Sequence, residues 1–375
     1  MEQLIIISNL LKFTPKYVFF SLLVVVMLTF LMIRGTEPSK DNSIGPEKFS
    51  PSLGLKKRKE STQKKTHPDQ NSSDSYHDSE IQELMDQLGV RVPSHDQLEN
   101  YIEKSGNNVE ALIAAGVILN DSSYFIRALE NNPNDAHALF CLALNESTES
   151  AAKIDLAKKL LKDQPDNATA SYLLASLQAE SGNIDESIDT LLGSFEQKGY
   201  DDFYNQTSLK VEDALRGTGS SESGSTLYSL WNVPVPILAK INGIAKTVME
   251  LVPQSDPQRA QELRSLVASI GANVSNENTS IINELVGLAA QIKSLEGMDN
   301  DSVSHFENLS VQEARNSLEQ RKSSIRNLTL FGPNDLISMD SALIESYMNR
   351  IRAVGEYEAT RWLNQRTKRP LPRNK

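Results

Sequence analysis

One cysteine stands in 375 residues, Cys141, which excludes an intrachain disulfide framework and any zinc site built on several thiolates, so the fold must hold by packing. Histidine is nearly as scarce. Of five, His67 and His77 fall in a polar stretch, and His95, His137 and His305 lie far apart without a neighbour at metal-ligand spacing. Nucleophile elbows, dinucleotide-binding glycine patterns and Ser-x-x-Lys in a suitable context are missing as well. The Gly and Ser run from Arg216 to Thr226 lacks the Gly-Lys-Ser/Thr of a phosphate loop and follows no strand pattern. Asp201 with Asp202, and Asp299 with Asp301, read as caps at turns. No catalytic, cofactor-binding or metal-binding residue is therefore nominated, and no partner-binding residue either. The chain reads as a non-enzyme without a cofactor.

Positive charge is in deficit. The formal net charge is −11, yet residues 1–79 carry eleven Lys or Arg against eight Asp or Glu, and Arg361 to Lys375 adds six basic residues with no acid, leaving 80–360 at −20. Such a surface repels the phosphates of nucleic acid and suits a basic protein or peptide partner.

Long hydrophobic runs are also absent but for one. Tyr17 to Ile33 is seventeen uncharged residues between Lys16 and Arg34, about 25 Å as a helix, enough to cross a bilayer core. The exit, Met32-Ile33-Arg34-Gly35-Thr36, offers no small-residue cleavage pattern, so the run is read as a retained single-pass anchor rather than a signal peptide. Lys and Arg nearly balance across it. A short N-terminus followed by a translocated body favours the soluble part on the extracytoplasmic side. Residues 1–16 precede the transmembrane helix 17–33. Residues 34–78 are rich in Ser, Pro, Lys, Asp and Asn, bury too little to order themselves, and read as a disordered stalk holding the body roughly 35 to 40 Å from the bilayer.

Beyond Asp78 the apolar period is helical, and the chain reads as all-α. Helices are expected near 79–88, 94–104, 107–119, 122–131, 135–145, 150–163, 168–181, 184–196 and 201–215. Glu130-Asn131-Asn132-Pro133-Asn134-Asp135-Ala136 returns thirty-two residues on as Lys162-Asp163-Gln164-Pro165-Asp166-Asn167-Ala168. Tyr172, Leu174 and Ala175, then Ser181-Gly182-Asn183, then Ile184-Asp185-Glu186-Ser187-Ile188 resemble a tetratricopeptide repeat. Weaker units precede it, with Ala136, Leu139, Phe140, Leu142 and Ala143 in one, and Val109, Leu112, Ile113, Gly116 and Ala128 in another. They depart from the family by being short, by lacking the usual Gly turn, and by carrying Ser187 where an Ala is typical. The resemblance covers about 107–196 and implies stacked hairpins with a concave face that grips protein or peptide.

The resulting division is a repeat domain over 79–215, a Gly/Ser linker over 216–227, a helical bundle over 228–366 and a basic tail over 367–375. In the bundle, apolar stripes run through Ile237, Ile241, Ile244, Val248 and Leu251, stopped by Pro253. A second stripe, Leu263, Leu266, Val267 and Ile270, ends at Gly271, and a third passes through Ile282, Leu285, Ala289 and Ile292. A fourth helix opens with Ser310 and Glu313 at capping-box spacing, and a fifth runs 336–366. These stripes read as core, or as a face for homo-oligomers. Ten Asn-x-Ser/Thr sequons, at Asn71, Asn120, Asn145, Asn167, Asn205, Asn273, Asn278, Asn300, Asn308 and Asn327, are a modest excess for so Asn- and Ser-rich a chain. The reading that joins these features is a membrane-anchored scaffold binding a protein partner. A self-associating structural protein, or a tethered hydrolase with its centre in 228–366, is the alternative.

Overall fold

The computed structural model divides the chain into residues 1–80 and 81–375. It describes residues 84–367, apart from 198, 277–279, 307–308, 329–334 and 337. The expected anchor, the stalk and the end of the basic tail lie outside the described residues. Among the described residues no helix is long and apolar enough to cross a membrane.

Within the second unit all regular structure among the described residues is helical, and pairing outside it is limited to isolated bridges such as Asn167 with Gly199. The helices are α1 His95–Lys104, α2 Val109–Leu119, α3 Ser122–Asn131, α4 Ala136–Leu144, α5 Ser150–Asp163, α6 Ala168–Glu180, α7 Ile184–Gly193 and α8 Tyr204–Gly217. There follow α9 Glu222–Asn232, α10 Pro236–Leu251, α11 Pro257–Asn276, α12 Ile281–Ser294, α13 Val311–Arg326, α14 Ser341–Val354 and α15 Glu356–Arg366. Their starts are written in side chains. Asn108, Asp135, Asn167 and Ser221 each accept a backbone N–H of the first turn, and Ser94 and Ser310 close capping boxes with Gln97 and Glu313. The repeated Pro133 and Pro165 turns open α4 and α6, as their sequence recurrence suggests.

Helices α2 to α7 form hairpins, α2 with α3, α4 with α5, α6 with α7, each packed on the next. The first helices of the outer two pairs are buried all round. Ala111 to Gly116 of α2 and every residue from Ala168 to Gln178 of α6 are inaccessible. The cover comes from later in the chain: α8 packs on α2 and α10 on α6. Lys240 of α10 meets Glu180 of α6 at 2.6 Å, and Asn273 of α11 donates to the Tyr172 hydroxyl at 2.9 Å. One core therefore contains Leu139 to Phe203 residues and Ile237 to Ala290 residues together. A second joins α1 to α3 with Val211 and Leu215, and a third joins Leu84 and Val90 with Leu227, Ile344 and Leu363.

The segment 216–227 accordingly is not an extended linker between two domains. Gly224, inside α9, lies so close to the Leu88 carbonyl that an added Cβ would sit 2.6 Å from it, and Ser225, Thr226 and Ser229 are buried. Small residues there serve close packing rather than flexibility. Glu212 of α8, 3% exposed, is ion-paired with Arg352 of α14, which also donates to Thr226.

Three further expectations change. The helix expected to stop at Gly271 continues to Asn276, because Gly271 and Gly287 let α11 and α12 approach until a Cβ on either would stand 2.5 Å from the other's carbonyl oxygen. For the same reason α12 buries Asn283, Glu284, Gly287, Leu288, Gln291 and Ser294, while the stripe of Ile282, Leu285, Ala289 and Ile292 is only half-buried. Gln291 is satisfied across the contact by the Ser275 hydroxyl at 2.9 Å. The long last helix is broken into α14 and α15 at Gly355, whose φ of 84° is left-handed. The stripes of α10 and α11 bury as read except for Leu251, which is half-buried.

A methyl group at Gly287 or Gly271 must push two backbones apart, so Gly287→Ala or Gly271→Ala should cost about 1 to 3 kcal/mol in urea unfolding. Gly243→Ala in α10, where an added Cβ meets nothing within 4 Å, should instead stabilise by roughly 0.5 to 1 kcal/mol. Equal effects at the two places would contradict the close crossing.

Candidate functional site

After α7 the chain must return past the start of α6 to begin α8, and the residues at that crossing build a polar concavity. Asn167 organises it. Its Oδ1 accepts the Thr169 N–H at 3.1 Å, capping α6, and also the Asp201 N–H at 3.0 Å, while its Nδ2 donates to the Asp201 carbonyl at 3.0 Å. Beside this clamp the Ala168 N–H donates to the Gly199 carbonyl at 2.8 Å and the Gly199 N–H to the Asp166 carbonyl at 3.2 Å. Gln197 adds a bond to the Pro165 carbonyl at 2.8 Å.

The chain then turns sharply. Phe203 adopts φ 58°, a left-handed conformation worth about 1 to 2 kcal/mol of strain for a residue with a Cβ. Its ring is held by stacking on His137 at 5.2 Å between centroids and by Phe140 at 4.9 Å. The Asp201 carboxylate accepts the Phe203 N–H at 2.8 Å and Asp202 the Tyr204 N–H at 3.1 Å, so both acids cap α8 as their turn position implies. The other oxygen of each carboxylate also has a donor: Gln206 Nε2 reaches Asp201 at 2.9 Å, and Asn283 Nδ2, from the first turn of α12, reaches Asp202 at 2.8 Å.

These groups line a cleft of about 510 Å³ with Gln164, Asp166 and Asn205 at its rim. Among the described residues that line it none is cationic. Burial pushes the Asp202 carboxyl above the ordinary carboxylate range, against the downward pull of Asn283 and the Tyr204 N–H, with Asp201 adding to the rise. Asn283 is 1% exposed, and its Oδ1 has no hydrogen-bond partner. A second cleft, about 560 Å³ among α12, α13 and α15, is occupied by its own Glu284 to Arg321 ion pair at 2.8 Å.

The histidines and the cysteine among the described residues stand elsewhere. His137 on α4 accepts at Nδ1 from Lys210 at 2.7 Å and so carries its proton on Nε2, which donates to Thr207 Oγ1 at 2.7 Å. Thr207 passes the chain on to the Phe203 carbonyl at 2.7 Å. His95 pairs with the Tyr124 hydroxyl at 3.0 Å, and His305 lies between Gln261 and Ser294. Desolvation pushes the Cys141 thiol up to about 12, too high for a thiolate nucleophile at neutral pH. Among the described residues no three His, Cys, Asp or Glu side chains are placed to share a metal ion. Asn167 and Asn273, both in sequons, are taken by structural hydrogen bonds, the first only 8% exposed, so the sequon pattern does not mark a set of free surface amides.

Asn283 carries no motif. It lies 81 residues from Asp202 in a helix whose apolar period points elsewhere, so only the fold could bring it to the cleft. No family model, curated protein or solved structure matches the chain.

Desolvation, helped by Lys210, drops the His137 pKa from 6.5 to about 3. The depressed value means the unfolded chain binds more protons than the folded protein between these limits. Stability from neutral His137 is thus complete above pH 6.5 and is lost as pH falls toward 3, at up to about 1.4 kcal/mol per pH unit. The urea midpoint should fall between about pH 7 and pH 5, and His137→Gln should flatten that fall. An unchanged slope in the variant would show that His137 is not held neutral.

Proposed function

We propose that the chain is a membrane-anchored helical scaffold that binds a protein or peptide partner, with basic partners favoured, and has no catalytic activity of its own. The observation that carries the reading is the cleft beside Asn167, whose described lining residues present carboxylates and amides but no histidine, thiol or lysine with which they could move a proton or attack a bond. It is an arrangement for holding. The helical hairpins with their recurrent Pro turns support kinship of design with tetratricopeptide repeats, and the anchor rests on the apolar run Tyr17 to Ile33. Because α8 and α10 cover α2 and α6, the binding surface of this scaffold lies at the ends and outer sides of the hairpins, not along the inner helices.

The full chain should sediment with membranes through a carbonate wash, and deleting residues 17–33 should release it. Crosslinked capture with the anchored protein should recover a protein partner whose yield falls as salt rises. A full chain that stays soluble, or that captures no partner at low salt, would overturn the proposal.

A further inference from the structure

We infer that the cleft between α6, α8 and α12 is a subsite for a cationic nitrogen, the ammonium or guanidinium of a lysine or arginine side chain on the protein partner. This deepens the scaffold reading and rests on it.

The inference starts from unmet acceptors. Three helices begin at the cleft, and their free N–H groups would by themselves favour an anion there. Those donors are already answered from within: Asn167 caps α6, Asp201 and Asp202 cap α8, and Ser280 accepts the Ile282 N–H of α12 at 3.2 Å. Beyond them the cleft carries the amides of Gln164, Asn205 and Gln206 and a concentration of acceptors. Asn283 Oδ1 is buried without a donor, a state that costs roughly 1 to 3 kcal/mol. Beside it Asp202 is a desolvated carboxylate whose partners are neutral amides, and the exposed Asp166 stands at the rim.

Several donors on one positive centre fit this set. An ammonium offers three N–H bonds and a guanidinium five, so one group could serve the orphan amide oxygen and the neighbouring carboxylate together. An anion would meet Asp166, Asp201 and Asp202. A neutral amide could satisfy Asn283 but would leave the half-buried Asp202 carboxylate without a counter-charge. The source is a partner's side chain rather than a free amine because the cleft is broad, about 510 Å³, and open at a rim of Gln164, Asp166 and Asn205, which gives room for the peptide that carries the charge. The framework is rigid enough to hold it, since the Asn167 clamp and the left-handed Phe203 fix the Asp201 and Asp202 backbone.

The test uses the full chain and a fluorescein-labelled hexapeptide, Gly-Lys-Gly-Arg-Gly-Lys, read by anisotropy, beside the same peptide with acetyl-lysine and citrulline in place of its charged residues. Spermidine serves as the free amine. The charged peptide should bind at least about tenfold more tightly than the neutral one, as charge-assisted hydrogen bonds require. Asp202→Asn should weaken it by roughly five- to tenfold, and Asp166→Asn, which removes the charge at the rim, should weaken it by a smaller factor. Asp299→Asn, remote from the cleft, should leave it within about twofold. Circular dichroism and melting of each variant separate loss of binding from loss of fold.

Binding of the charged peptide that ignores both Asp202→Asn and Asp166→Asn overturns the subsite while leaving a basic-partner scaffold standing. Spermidine binding as tightly as the peptide with the same sensitivity to these variants overturns the partner side chain as the source. So does binding that appears only when the chain's own residues 368–375 are removed. Capture experiments that recover no partner overturn the scaffold reading itself, and the two failures are thereby distinguished.

Discussion

The enclosure of α6 governs the rest of the fold. A helix that runs Ala-Thr-Ala-Ser-Tyr-Leu-Leu-Ala-Ser-Leu-Gln with every side chain inaccessible cannot stand in an open row of hairpins, where one face would meet water. Tyr172, Leu173, Leu174 and Leu177 are each worth about 1.5 to 3 kcal/mol of burial, and they share one core with residues from Ile237 onward. Helix α10 supplies it, with α11 behind it reaching Tyr172 through Asn273. The hairpins and the later helices are therefore one packed body, and α2 under α8 repeats the arrangement.

That enclosure also explains where polar chemistry is left. Once the inner helices are covered, the free surface of the hairpins is at their outer sides and at their ends, where turns carry caps. At the α6 end the returning segment 199–203 lies against the cap of one helix and supplies the caps of the next, so several helix starts share one small region with Asp201, Asp202 and Asn283. Acids gathered for capping thus become, where their remaining lone pairs face outward, a patch that accepts donors. The same two needs explain Phe203: the chain must reverse within a residue while its ring stays in the core with His137 and Phe140.

Much of this was legible in the sequence, and the parts that were not share a cause. Helices α1 to α8 appear within a few residues of their expected bounds because caps such as Ser94, Asn108 and Asp135 and the Pro133 and Pro165 turns act locally. The capping box at Ser310 and the stripes of α10 and α11 were readable for the same reason. Packing between distant helices was not. Gly271 and Gly224 look like a stop and a hinge, yet each is a place where two backbones touch, which depends on what arrives from residue 287 or residue 88. Once α11 and α12 approach so closely, small and polar residues become the buried face and the apolar stripe of α12 turns partly outward. Asn283 was invisible for that reason, while the neighbouring Asp201 and Asp202 were legible as caps.

Hydrogen exchange followed by mass spectrometry on the full chain tests the enclosure most directly. If α10 completes the environment of α6, the amides of Ala168–Glu180 and Pro236–Leu251 should open together, with protection close to that of global unfolding and well above the outer helix Ser150–Asp163. Exchange of Ala168–Glu180 that proceeds independently of Pro236–Leu251, at the rate of the outer helices, would show that the hairpins stand without their cover and would contradict this account.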